Sequence, residues 1–193
     1  MTKIRLVHST ISRLKLLRGT RGSQLLEFAF SLPFLVVLAV GVTDFGEAYN
    51  LKHILTNAAR EAARITVSNP LSNTNCADPV GLTNPCSVQA AADAAKQYML
   101  NANLSLASCI TPNAPTAGTL TWTYSCSGIT LTINRGYVFT ATSGNVVPST
   151  QVTLTYPYTW TFGKLIGLLV PGSTPTLPTN LTTSLIMQNL VAQ

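Results

Sequence analysis

Between Ser23 and Thr43 lie 21 residues with one charged side chain, Glu27, and the run FAFSLPFLVVLAVGV from Phe28 to Val42 has none. At about 1.5 Å per residue, a helix of that length covers roughly 30 Å, the thickness of a bilayer core. Nothing else in the chain competes. The later run Leu165 to Val170 is too short to cross, and Pro171 and Gly172 close it. Pro33 inside the span is compatible with this reading, because neighbouring groups in a membrane can satisfy the carbonyl that its missing N–H leaves free.

The charge distribution supports an anchor and excludes a basic binding face. The formal charge is +6. Lys3, Arg5, Arg13, Lys15, Arg18 and Arg21 all precede Gly22 with no acid among them, and the cations and acids after Gly22 cancel. No domain face for nucleic-acid phosphates is therefore expected. A basic tail ahead of an apolar run is the asymmetry that keeps the tail in the cytoplasm while the rest is translocated. With 46% hydrophobic and only 9% charged residues, the composition agrees with a chain that meets lipid.

Beyond the span, Leu51, Ile54, Leu55, Ala58, Ala62 and Ile65 recur at spacings of three and four, so the helix is expected to continue from Asp44 to about Ser68. Asn69-Pro70 ends it, and a loop rich in Asn, Pro and Cys follows. Ser87 to Ala102 reads as a second, alanine-rich helix with Ser87 as its N-cap. The period then changes to two. Leu120, Trp122, Tyr124 and Cys126 form one strand and Ile129, Leu131 and Ile133 another, joined at Ser127-Gly128. Tyr137 to Ala141 is a candidate third strand. Val152, Leu154, Tyr156, Tyr158, Trp160 and Phe162 alternate over a longer one, in which Pro157 implies an edge position or a bulge. The tail from Thr179 to Val191 is amphipathic without a clear period.

The expected fold class is a membrane-anchored α+β protein: leader 1–22, transmembrane helix 23–43, its extracytoplasmic continuation 44–68, and an α+β head 69–193 with a small antiparallel sheet. All four cysteines lie in that head, where disulfides are permitted. Four cysteines allow three pairings; Cys76 with Cys86 and Cys109 with Cys126 both close short loops and are the favoured ones. No C-x-x-C pair occurs and neither histidine is near in sequence, so no metal or other cofactor is expected.

The stretch Arg21-Gly22-Ser23-Gln24-Leu25-Leu26-Glu27-Phe28 is where chemistry concentrates. A membrane-embedded peptidase needs an unhindered, extended bond, and a glycine before that bond supplies it. Cleavage after Gly22 would leave Ser23 with a new positive amine. Glu27 follows four residues later, about 6 Å deeper along the helix. A carboxylate inside a span is unfavourable and calls for a partner. The amine of a neighbouring subunit, shifted axially by the same distance, is the candidate, which would favour a staggered helical assembly.

These residues resemble the TadE-like pseudopilins of tight-adherence (Tad) pilus systems. The likeness rests on Gly22, Glu27-Phe28, Leu32-Pro33, Gly41, Asp44-Phe45-Gly46 and the Ala58 to Arg64 segment; Val152 to Tyr156 and Leu185 to Gln188 add less specific matches. A departure is Gln188, where the family often carries a basic residue. The resemblance implies a minor pilin-like subunit of the bacterial inner membrane, with its N-terminus cytoplasmic and its head extracytoplasmic. It implies as partners a prepilin peptidase, other pilin or pseudopilin subunits and the inner-membrane assembly machinery, and as role the assembly of a pilus for surface adherence.

The competing reading is an uncleaved single-pass protein with an adhesin-like binding head. An ordinary secretory signal fits less well, because Glu27 interrupts the join between basic and apolar regions and no clear small-x-small site follows. An enzyme is not expected: with six acids and two histidines, the chain shows no G-x-S-x-G, phosphate loop or H-E-x-x-H. Arg60, Glu61 and Arg64 read as a solvated helix face with an i, i+3 ion pair. Asp44 is expected to mark the end of the span, and Tyr156, Tyr158 and Trp160 to pack a strand.

Overall fold

The structure, a computed structural model, describes residues 20–69, 85–110, 116–118, 120–142, 144–170, 172–173 and 175–190. The chain divides into two units, one ending at Thr43 and one beginning at Asp44, and the helix α1 (Thr20–Ser68) contributes to both.

In the first unit α1 carries the apolar run, and its helical assignment is unbroken through Pro33. Its hydroxyl residues bond back to their own helix, Ser31 Oγ to the Phe28 carbonyl at 3.1 Å and Thr43 Oγ1 to the Val40 carbonyl at 2.9 Å. Neither leaves a polar group unsatisfied. Among the described residues this is the one helix long and apolar enough to cross a membrane.

The second unit is an α+β head in two layers. One layer is the rest of α1 with α2 (Cys86–Asn101); the other is an antiparallel sheet whose strands lie in chain order, β1 (Thr116–Gly118), β2 (Thr121–Cys126), β3 (Ile129–Thr140), β4 (Val146–Pro157) and β5 (Asn180–Gln188). The inner face of the sheet presents Trp122, Tyr124, Ile129, Leu131, Ile133, Val152, Leu154 and Tyr156, all buried. Opposite them the helices supply mostly small residues: Ala58, Ala59, Ala62 and Ala63 from α1, and Ala91, Ala92 and Ala95 from α2. Alanine leaves room for the bulky strand residues to reach close to the helix backbones. The outer face carries hydroxyls that bond across strands, including Thr123 with Thr132 at 3.2 Å and Thr155 with Thr182 at 3.0 Å.

The β2–β3 turn is Ser127-Gly128, both with positive φ (48° and 82°), the conformation that a two-residue hairpin needs. Cys109, at the end of a 3-10 turn (Ser105–Cys109), is disulfide-bonded to Cys126 at the end of β2, tying α2's exit to the sheet. Cys86 is also disulfide-bonded; its favoured partner, Cys76, lies outside the described residues.

Several local expectations are corrected. Ser87 does not cap α2. Pro85 occupies the N-cap without a side-chain bond, and the buried Ser87 hydroxyl accepts a 2.6 Å hydrogen bond from Arg135 Nη1. Tyr137 to Ala141 is not a separate strand: β3 runs on to Thr140 past a register shift between Asn134 and Tyr137. The alternation expected through Phe162 stops at Pro157, where β4 ends, and Thr161–Leu169 forms a helix, α3. Pro157 marks neither an edge nor a bulge. β4 is flanked by β3 and β5, and its proline stands at the last position, where a missing N–H interrupts nothing. The tail is β5, paired to β4 from Ser149↔Gln188 to Pro157↔Asn180.

Candidate functional site

The first candidate site is the start of α1. Gly22 lies within the helix, two residues after its first residue, and a Cβ added there would meet nothing within 4 Å. The chain's own packing therefore does not require glycine at position 22. A peptidase that needs an extended bond would have to unwind the helix at this point. Glycine eases that unwinding by about 1 kcal/mol relative to alanine.

Ser23 and Glu27 are brought together within one chain. Ser23 Oγ donates to Glu27 Oε1 at 3.3 Å, one helical turn away, and both side chains are exposed. The axial rise of the helix separates the Ser23 backbone nitrogen from Glu27, and the Ser23 hydroxyl reaches across that separation. Around them Leu25, Leu26, Phe28 and Phe30 are exposed as well, so the carboxylate sits among side chains suited to lipid or to another apolar helix.

A second constellation, at Asp44, was not legible in the sequence beyond its position. Asp44 is 4% exposed. Its Oδ1 accepts from the Tyr158 hydroxyl at 3.0 Å, and its Oδ2 accepts from the Phe162 backbone N–H at 2.8 Å. Phe162 is in the first turn of α3, so this carboxylate caps that helix from 118 residues away and complements its dipole. The Tyr158 hydroxyl also lies 3.0 Å from the Asp44 carbonyl. Burial, and then the Asp44 hydrogen bond and charge, push the Tyr158 phenol up to about 12.

Aromatic rings surround this pair. Phe45 packs on Trp160 with centroids 5.1 Å apart, Tyr158 meets Trp160 edge-on at 4.9 Å, and Trp160 Nε1 donates to the Pro178 carbonyl at 2.6 Å. Of the expected aromatic stripe, Tyr156 alone is a buried strand residue; Tyr158 binds Asp44 and Trp160 is the N-cap position of α3.

On the outer face of α1, Arg64 holds Glu61 through two bonds of 2.6 and 3.1 Å, and Arg60 donates to Asn57 at 3.1 Å. The Arg64 hydrogen bond lowers the Glu61 carboxyl below its ordinary range. Arg135 is the residue that sequence reasoning missed. In the charge count it is simply one of the six cations after Gly22, yet it is fully buried beneath α2, and burial lowers its guanidinium from the ordinary range. Its place at an inward position of β3, two residues after Ile133, was the available signal. Among the described residues no group of three or more His, Cys, Asp or Glu side chains could hold a metal ion.

Comparison with known proteins adds one finding. No curated protein and no solved structure matches the chain. The family model of TadE-like proteins matches residues 22–64. That interval begins at Gly22, contains Ser23, Glu27 and Asp44, and ends on the ion-paired Arg64. It covers the apolar run and most of the alanine face, so over residues 22–64 this chain is similar to TadE-like proteins.

Proposed function

We propose that the protein is a pilin-like structural subunit of a Tad-type pilus, cleaved by a prepilin peptidase between Gly22 and Ser23 and acting in pilus assembly for surface adherence. The observation that carries this reading is the TadE-like match, whose first residue is the glycine of the candidate bond. The partners are then the peptidase, other pilin or pseudopilin subunits and the assembly machinery of the bacterial inner membrane, with the leader in the cytoplasm and the head outside. After cleavage, the Ser23 amine of one subunit meets Glu27 of another, and the exposed apolar side chains of α1 pack between subunits as they would pack against lipid.

N-terminal sequencing of the mature protein, isolated from membranes, tests the proposal. A start at Ser23 supports it; an intact Met1, or a start beyond Phe45, overturns it. Glu27→Gln separates processing from assembly. It should leave cleavage unchanged and abolish co-purification with other pilus components, and unchanged co-purification would refute the charge pairing.

A further inference from the structure

α3, with the sequence TFGKLIGLL, has five large apolar side chains in nine residues, and none of its residues is buried. Leu168 is 77% exposed, and Val170 just after the helix is 55% exposed. Isolated apolar residues on a surface are ordinary, but a contiguous apolar helix on one is not. Nor can so short a helix sustain itself in water through backbone bonds alone. A helix apolar on most of its circumference belongs in an apolar medium.

Its position in the chain identifies that medium. Asp44, whose carboxylate binds the first turn of α3, is covalently the residue after Thr43, where the apolar run ends. α3 therefore starts within one hydrogen bond of the point at which the chain leaves the span, whatever the orientation of the head. The side chains gathered there suit the boundary between lipid and water. Trp160 is in contact with both Phe45 and Tyr158, and Tyr and Trp favour that depth because they join an apolar body to a polar tip. The only charged residue on α3 is Lys164, beside an open cleft that Trp160, Pro175 and Asn180 also line. A lysine there can run its stem along apolar surface and reach a lipid phosphate.

We propose that α3 is a second membrane contact, lying in the headgroup region of the bilayer that holds the span, with Leu165, Ile166, Leu168 and Leu169 in the acyl boundary and Lys164 at phosphate. The occupant is an anionic phospholipid surface rather than another copy of the chain, because the helix has one cation, no acid and an aromatic group at its base. This rests on the membrane-anchored reading and extends it to the head.

The test uses the full chain in vesicles of phosphatidylethanolamine and phosphatidylglycerol. Trp122→Phe leaves Trp160 as the sole tryptophan. Lipids brominated near the headgroup should then remove the greater part of its emission, and Leu168→Asp with Leu169→Asp should restore it. If Trp122→Phe does not fold, comparing the unaltered chain with Trp160→Phe gives the same readout, since Trp122 is buried in the core. A tryptophan placed in the span by Leu35→Trp, with both native tryptophans replaced by Phe, reports anchoring separately through deeply brominated lipids. Quenching in the span without quenching at Trp160 overturns the α3 contact and leaves the anchor standing; quenching at neither overturns both. Shielding of Trp160 from lipid bromine and from aqueous acrylamide alike would assign the face to another protein surface, which also overturns the proposal.

Discussion

α1 is one helix under two opposite demands. In residues 23–43 its bulkiest side chains point outward, with Leu25, Phe30 and Phe34 each more than 70% exposed. In residues 44–68 Leu55, Ala58, Ala59, Ala62 and Ala63 are fully buried, and four of these five are alanines. The first stretch needs bulk because its apolar surroundings must come from outside the chain. The second needs the absence of bulk, since every methylene added there would displace a strand residue. Hydropathy alone calls both apolar; side-chain volume tells them apart.

Overfilling the small-residue face should break the comparison most visibly. Ala62→Leu is expected to destabilise the head by about 1–3 kcal/mol, as overpacked cores do. Leu35→Ala, which removes bulk from the outward stretch, should leave the head's thermal unfolding in detergent unchanged. If the two variants behave alike, the distinction is wrong. The boundary between the stretches comes next. Asp44→Ala removes the cap of α3 and should cost about 1 kcal/mol.

The same residue gives the head a pH signature. Tyrosine ordinarily titrates near about 10, whereas Tyr158 is raised to about 12 when folded. A raised acid group favours the protonated folded state, so this contribution is fully present below the ordinary range and disappears as pH rises through about 12. Alkaline unfolding monitored by phenolate absorbance should show that window, and Asp44→Ala should shift it towards lower pH. The smallest effect is expected on the outer face of α1. Glu61→Gln removes an exposed ion pair and should leave the melting temperature unchanged, since such pairs contribute little. A clear loss there would mean that the charged stripe, and not only the alanine face, holds this half of the helix in place.

The elements that the sequence made legible are those whose causes are local. Spacings of three and four announce the second half of α1, an alanine-rich run announces α2, and Ser127-Gly128 between two alternating runs announces the hairpin. Where a distant residue supplies the deciding bond, local pattern misleads. The alternation through Tyr158, Trp160 and Phe162 reads as strand, but Asp44 takes the Phe162 N–H and starts a helix. Ser87 has the chemistry of a cap and is instead the partner of Arg135. β5 was obscured because one of its inward positions is Thr183, buried against Thr56 with hydroxyls 3.1 Å apart, where an apolar residue would have completed the period. At the candidate cleavage site, the order of Gly22, Ser23 and Glu27 was legible because its parts are consecutive. The link from Asp44 to α3 was not, because nothing in either segment points to the other.

The strand order has a consequence for how such a chain can be made. Each strand pairs with the one synthesised just before it, so the growing head can add strands one at a time without leaving a gap for a later segment to fill. Only the closure onto α1 must wait. Lys52 donates to the Thr182 carbonyl, and the Leu190 N–H reaches the Val67 carbonyl at 3.2 Å, so α1 is gripped by β5 and the residues just after it. Until β5 arrives, the alanine face of α1 stays uncovered at that edge, and the interval between synthesis of the helix and its capture is when this chain is most open to chaperones and proteases.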